Sequence, residues 1–291
     1  MLRATLLLFL ITLSSFAAAP VDKFILALKP DKNPEVMRAE RDALSAALAQ
    51  KLGRPVETVI PLSAAVILEG FANGTIDAGY LSATDLVNAR AKQVGRLLLA
   101  GQFADGRTAY DSYWVVKKDS PYQSIADLRG RPVAFASRTS TSGFALPLLD
   151  LRKRGLITDE ADLDAFFGRG NVFWGSGYVS AIERVLAGEA EAAAVSYYVL
   201  DQDKHLSLEQ RAKLRKLQSQ GPVPSHVIAV RTSLSEADAS ALKAALLSFN
   251  EGDAASLRDR VFTTQLVETD ETAHVASLQE ALALAKKALK Q

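Results

Sequence analysis

Residues 131–144 read Arg131-Pro-Val-Ala-Phe-Ala-Ser-Arg-Thr-Ser-Thr-Ser-Gly-Phe144. A short apolar strand, Pro132 to Ala136, runs into the hydroxyl residues Thr139, Ser140, Thr141 and Ser142, and Gly143 then opens a helix expected to reach Arg154. The first turn of a helix leaves backbone N–H groups without intrahelical acceptors and carries a partial positive charge. Hydroxyls placed there add donors, and a glycine lets a ligand approach the backbone. An N-cap needs only one hydroxyl. A run of them favours a site for a tetrahedral oxyanion that requires no lysine.

Outward from this stretch, short β-like runs alternate with longer helical ones. On the N-terminal side, Phe24–Leu28, Val56–Ile60 and Ile76–Leu81 read as strands, and Pro34–Leu52, Ala64–Ala72 and Thr84–Gln93 as helices. This βαβαβα order predicts parallel strands. A second α/β unit begins with the strand at Tyr113–Val116 and takes in the strand and helix of the hydroxyl run. It continues with a strand at Val172–Trp174, a helix at Val179–Ala187 and a strand at Ala192–Val195. Val227–Val230 returns as a strand, and helices at Glu236–Phe249 and Ala276–Lys290 close the chain. One phrase occurs in each unit, a helix followed by Asn73-Gly74 or Ala187-Gly188 and then a small-residue strand. Two similar lobes facing each other would bind a ligand in the cleft between them and close by hinge motion.

The chain of 291 residues is long enough for two lobes. Its lack of cysteine excludes disulfides, thiolate metal sites and a cysteine nucleophile, and also a lipid-anchoring cysteine. At the N-terminus Arg3 precedes the apolar run Leu6–Leu13 and the small residues Ser14, Ser15, Ala17, Ala18 and Ala19, the layout of a secretory signal peptide. The leader is expected within residues 1–19. Cleavage after Ala17 fits best, because cleavage after Ala19 would leave Pro20 first. The net charge of +1 (34 Lys and Arg against 33 Asp and Glu) falls to 0 once Arg3 leaves with the leader. Such a chain has no global field for nucleic acid or an anionic membrane, so anion selectivity must be local.

Four stretches together resemble the binding proteins of phosphonate, phosphite and phosphate ABC importers. They are Leu128-Arg-Gly-Arg-Pro-Val-Ala-Phe with Thr139-Ser-Thr-Ser-Gly-Phe144, the first-lobe phrase from Ala64 to Gly79, Tyr110-Asp-Ser-Tyr-Trp-Val-Val-Lys-Lys-Asp-Ser-Pro121, and the second-lobe phrase from Gly175 to Val195. The likeness runs over most of residues 22–232. It implies a two-lobed type II periplasmic binding protein fold with two hinge strands. The first lobe would be built from residues 20–112 and 218–291, with the C-terminal helices, and the second from 113–217. It implies an exported, periplasmic protein, expected to be a monomer, that hands a small anion to an ABC permease; a ligand-sensing partner of a membrane receptor is the alternative. It also implies that Ser140, Thr141 and Ser142 hold phosphoryl oxygens and that Tyr110 faces the ligand. Where the family often has a ligand-contacting histidine, this chain has Tyr178, and Ser63 stands where a tyrosine is common. The acidic residues that hold an ammonium in aminophosphonate binders have no counterpart in Val195-Ser-Tyr-Tyr198. An aminoalkylphosphonate is therefore disfavoured, while phosphate, phosphite and a neutral-tailed phosphonate stay open.

The expected ligand-binding set is Thr139, Ser140, Thr141, Ser142, Gly143, Tyr110, Tyr178, Ser82 and Tyr197. Ser82 and Thr84 follow a strand and precede a helix, where capping is an equal reading. Arg138 reads as solvated and Trp174 as core. Tyr197 and Tyr198 offer a cleft wall or core packing, and His205, His226 and His274 read as structural or surface, with no metal spacing. No cofactor, metal or catalytic residue is expected. The chain has no Gly-x-Ser-x-Gly elbow, phosphate loop or dinucleotide turn, which leaves a serine hydrolase the least favoured class.

Overall fold

The computed structural model describes residues 19–28, 34–202, 205–262 and 264–290, so apart from Ala19 the expected leader lies outside the described residues. The chain enters through β1 (Phe24–Leu28), α1 (Pro34–Leu52), β2 (Val56–Val59), α2 (Ala64–Asn73), β3 (Ala78–Leu81), α3 (Ala83–Ala91) and β4 (Gly95–Gln102). It crosses into β5 (Ala109–Lys117) and β6 (Val133–Phe135), then a π turn at Thr141–Ala145 that continues as α4 (Leu146–Lys153). There follow α5 (Leu163–Phe167), β7 (Val172–Trp174), α6 (Tyr178–Ala187), β8 (Ala192–Ser196), α7 (Tyr198–Asp201), α8 (Leu208–Ala212) and β9 (Leu214–Pro224). The chain then returns through β10 (Val227–Arg231), α9 (Glu236–Leu247), α10 (Ala254–Val261), β11 (Gln265–Val267), α11 (Glu271–Val275) and α12 (Leu278–Ala288).

Two mixed sheets result. The first has the order β11-β4-β10-β3-β1-β2 and the second β7-β6-β8-β5-β9. The βα repeats form the parallel pairs β1–β2, β1–β3, β6–β7 and β6–β8. The strands next to the crossings run antiparallel: β10 against β3 and β4, β5 against β8 and β9. The second sheet starts at Ala109 and ends at Pro224, wider than the borders at 113 and 217 read from the sequence.

Each sheet buries both faces, as parallel strands require. One face of the first sheet packs Phe24, Leu26 and Ile228 against Leu44 and Leu48 of α1 and Leu242 and Leu246 of α9. Its other face meets Ile67 and Phe71 of α2, in an apolar cluster continuous with Trp114, Phe135 and Phe144 of the second unit. At the N-terminal end of β3 the buried Asp77 carboxylate accepts from the Ile25 amide (2.8 Å) and from Arg231 Nε (2.9 Å), tying β1, β3 and β10 together.

The two crossings, Phe103–Thr108 and Ser225–His226, lie side by side. The Ser225 amide donates to Thr108 O (2.9 Å), the Gly101 amide to His226 O (2.9 Å) and Ser225 Oγ to Gly101 O (2.6 Å). The final helix departs from the sequence-based division, which placed it with the first lobe. Leu278, Ala281 and Leu284 of α12 are buried in the cluster that holds Phe144 and Leu148. Glu280 pairs with Arg152, and Lys287 Nζ donates to Asp159 O (3.0 Å). Residues 278–288 thus cover the helix that follows the hydroxyl run.

Candidate functional site

Ser63, Ser82 and Ser140 are N-caps by the same chemistry. Each follows a strand in extended backbone and accepts from the amide three residues on: Val66 N (3.5 Å), Asp85 N (3.2 Å) and Gly143 N (2.9 Å). Gly177 caps α6 by backbone alone, and Ser180 Oγ accepts from its amide (3.2 Å). All four caps line a single cleft of about 150 Å³. Two come from the first sheet's helices and two from the second's. Each helix of this length ends in roughly half a positive charge at its N-terminus, so four dipoles converge on one small volume. No Lys, Arg, Asp or Glu lines it among the described residues.

The second unit's wall is shaped by the π turn. A turn of this width is rare and recurs at functional sites. The Ala145 amide donates to Ser140 O (3.0 Å), one residue further back than an α-helix would reach. Gly143 makes the turn possible. A Cβ there would stand 2.4 Å from Ala136 Cβ, 2.8 Å from Ser140 Oγ and 3.1 Å from Ala194 O. The absence of that atom lets the turn lie directly on β6 and β8.

The expected residues divide into two layers. Thr139, Ser140, Ser82 and Tyr178 line the cleft. Thr141, Ser142 and Gly143 lie behind that surface, and the Thr141 and Ser142 hydroxyls serve protein partners. Thr141 Oγ1 meets Thr84 Oγ1 at 2.7 Å and accepts from the Thr84 amide (3.3 Å), a direct bond between the units. Ser142 Oγ bonds Tyr178 OH (2.7 Å) and accepts from Tyr110 OH (3.4 Å), while Ser142 O accepts from Ser112 Oγ (2.6 Å). Tyr110 does not line the cleft and is hydrogen-bonded to it through Ser142 and Tyr178. Burial first of all holds its phenol well above the usual tyrosine range, so it stays a protonated donor. Tyr197 lies outside the cleft, its ring against Phe103 and Tyr110, and burial pushes its phenol up to about 12. Tyr198 packs on Tyr110, Tyr178 and His205.

Breaking the bond between units tests its weight. Thr84→Val removes the 2.7 Å hydroxyl bond and leaves the buried Thr141 hydroxyl only the longer bond from the backbone amide of residue 84, which should cost about 1–3 kcal/mol of unfolding free energy in urea. The unliganded variant should also have a larger radius of gyration by X-ray scattering, with unchanged circular dichroism.

Several cleft residues went unrecognised in the sequence: Leu62, which is 93% exposed at the rim, Ala64, Ser137, Ser176, Gly177 and His226. The pattern strand-end, small polar residue, helix-start would have flagged Ser63 and Gly177 as it did Ser82 and Ser140. His226 carries no local signal, because the crossing that places it is a product of tertiary structure. Against the expectation of a structural or surface residue, it lines the cleft while its ring stacks on Tyr110 (6.1 Å, 11°). Arg138 is not simply solvated: its guanidinium lies 4.5 Å over the half-buried Trp174 ring. Among the described residues no group of three or more His, Asp or Glu side chains is placed to hold a metal ion.

A family model described as an ABC transporter, phosphonate, periplasmic substrate-binding protein matches residues 26–273. The phosphate-import protein PhnD of Mycolicibacterium smegmatis is 26% identical over 170 residues, 57% of this chain; the chain spans about half the length of that curated relative, 53%. Among solved structures, PhnD1 of Prochlorococcus marinus in complex with methylphosphonate superposes with a TM-score of 0.77 at 17% identity, over 91% of this chain and 99% of that one. A binding protein component of an ABC phosphonate transporter from Pseudomonas aeruginosa gives 0.76 at 14% identity, over 92% and 88%. Likenesses at that identity establish the shared fold, a type II periplasmic binding protein.

Proposed function

The chain belongs to the family of periplasmic substrate-binding proteins of phosphonate ABC transporters, and from that premise we propose that it captures a small phosphorus oxyanion in the cleft and delivers it to an ABC permease. The family is one of binding proteins rather than enzymes, and the proposed role involves no chemistry on the ligand. The protein is exported by a cleavable leader and works as a monomer. Its first lobe carries β1–β4, β10 and β11, and its second carries β5–β9 with α12 laid across it.

The observation that supports this best is the convergence of the Ser63, Ser82, Ser140 and Gly177 caps on a cleft with no charged side chain among its described residues. Four bundles of N–H donors neutralise an oxyanion without a lysine or arginine. A ligand bridging them satisfies donors of both units only when the units are together, so binding favours the closed state. The missing acidic wall rejects an ammonium tail, and the small volume favours phosphate, phosphite or methylphosphonate.

A thermal-shift screen of the mature protein tests the assignment. Methylphosphonate, phosphite or phosphate at about 100 times its dissociation constant should stabilise the fold by about 2.7 kcal/mol through mass action. Amino acids should do nothing. Ser140→Ala should weaken binding of the active ligand by about 1–3 kcal/mol, since it deletes a hydroxyl at the oxyanion. If amino acids shift the melting temperature and no phosphorus oxyanion does, the assignment is wrong.

A further inference from the structure

We propose that Ser82 and Asp85 make the cleft selective for an oxyanion that still carries a proton. The inference rests on the function proposed above and names the ligand form that site takes. Ser82 lines the cleft and is 6% exposed. Its one hydroxyl proton is committed inward: Ser82 Oγ donates to Asp85 Oδ2 at 2.6 Å. The same carboxylate oxygen accepts from the Ser82 amide (3.2 Å), so the pair is held at both ends. Ser82 Oγ in turn accepts from the Asp85 amide (3.2 Å), which leaves it one lone pair. A serine so arranged presents an acceptor to the cleft, among neighbours that are otherwise donors.

The other caps differ in this respect. Ser63 and Ser140 each accept a backbone N–H, and among the described residues no hydrogen bond commits their protons elsewhere. They meet an oxyanion oxygen as donors. At Ser82 an unprotonated ligand oxygen would face a lone pair, or would have to pull the hydroxyl off a buried carboxylate. A P–OH group instead donates to Ser82 Oγ, extending a chain from ligand to Ser82 to Asp85. Discrimination of this kind is large because the wrong partner leaves a buried polar group unmatched.

Methylphosphonate and methanesulfonate isolate the effect. On the acid side of neutrality both are methyl-bearing tetrahedral monoanions, and only the phosphonate retains a proton. Calorimetric titration of the wild-type protein should show methylphosphonate bound at least about tenfold more tightly. Ser82→Ala removes the acceptor and should shrink that ratio. Asp85→Ala should shrink it further, because it removes the oxygen that holds the serine proton inward and frees that proton for the cleft. Equal affinity of the wild type for the two ligands overturns the inference while leaving the proposed function intact. So does a wild-type ratio that survives in whichever of the two variants folds. Failure of the wild type to bind any phosphorus oxyanion overturns both.

Discussion

Gly143→Val should abolish ligand binding and lower the melting temperature by several degrees. The new Cβ would sit 2.4 Å from Ala136 Cβ and 3.1 Å from Ala194 O, so it would meet β8 and the residue just past β6 at once. Neither neighbour is a flexible tip that can swing aside. The turn would have to lift off β6 and β8, breaking the bonds from the Ala136 amide to Gly143 O (3.1 Å) and from the Gly143 amide to Ser140 Oγ (2.9 Å). Overpacking of this kind typically costs about 1–3 kcal/mol, and the lost bonds add to it. Binding should suffer more than stability, because the same lift moves Ser140 out of the cleft wall. Gly143→Ala is the milder version, and near-native affinity in that variant would contradict the account. Calorimetric titration together with thermal melting separates the two effects.

Asp77→Ala should give the opposite profile, a large loss of stability with little direct effect on the site. Asp77 sits at the end of β3 away from Ser82, and its carboxylate serves the Ile25 amide and the Arg231 guanidinium. Both Asp77 and Arg231 are largely buried, with side chains 4% and 14% exposed. Removing one partner of a buried ion pair strands the other and costs about 3–5 kcal/mol. The urea midpoint should fall accordingly. Affinity measured well below that midpoint should stay within a few-fold of wild type. Asp77→Asn keeps a hydrogen-bond acceptor for Ile25 and should lose less.

The parallel βα repeats were legible because their strands are apolar and their helices carry stop signals. The expected helix Pro34–Leu52 matches α1 at both ends, and the helix before Gly188 differs by one residue at its start. β9 was not legible. Its sequence, Leu-Arg-Lys-Leu-Gln-Ser-Gln-Gly-Pro-Val-Pro, is polar and holds two prolines, which argues against a strand. The sheet tolerates it because β9 is the edge strand, where one row of backbone groups needs no ladder partner. β11 has only three residues and draws its place from pairing with β4. The expected closing helix, Ala276–Lys290, matches α12 to within two residues at each end, while α11 carries no clear sequence signal; Asp270 begins α11 by accepting from the Ala273 amide (2.7 Å), and the chain turns at Ala276–Ser277 before α12.

Within the site, the hydroxyl run was legible as an oxyanion wall but not as two layers. Sequence cannot tell which of four adjacent hydroxyls points outward, since that depends on the width of the first helical turn. The π turn sends Ser140 to the cleft and turns Thr141 and Ser142 toward Thr84 and Tyr178. His226 was missed for a related reason: its neighbours Tyr80 and Tyr110 lie more than a hundred residues away.

The seat of α12 across α4 has a consequence for the order in which the molecule comes together. A ribosome or an export channel releases this chain from its N-terminus, so residues 109–224 emerge well before the eleven residues that seal them. Until Leu278 and Leu284 arrive, an apolar seam stays open to water and the half-built body has no completed core there. Completion of this core thus waits for residues 278–288 to emerge. Contacts so distant along the chain slow collapse into the finished form.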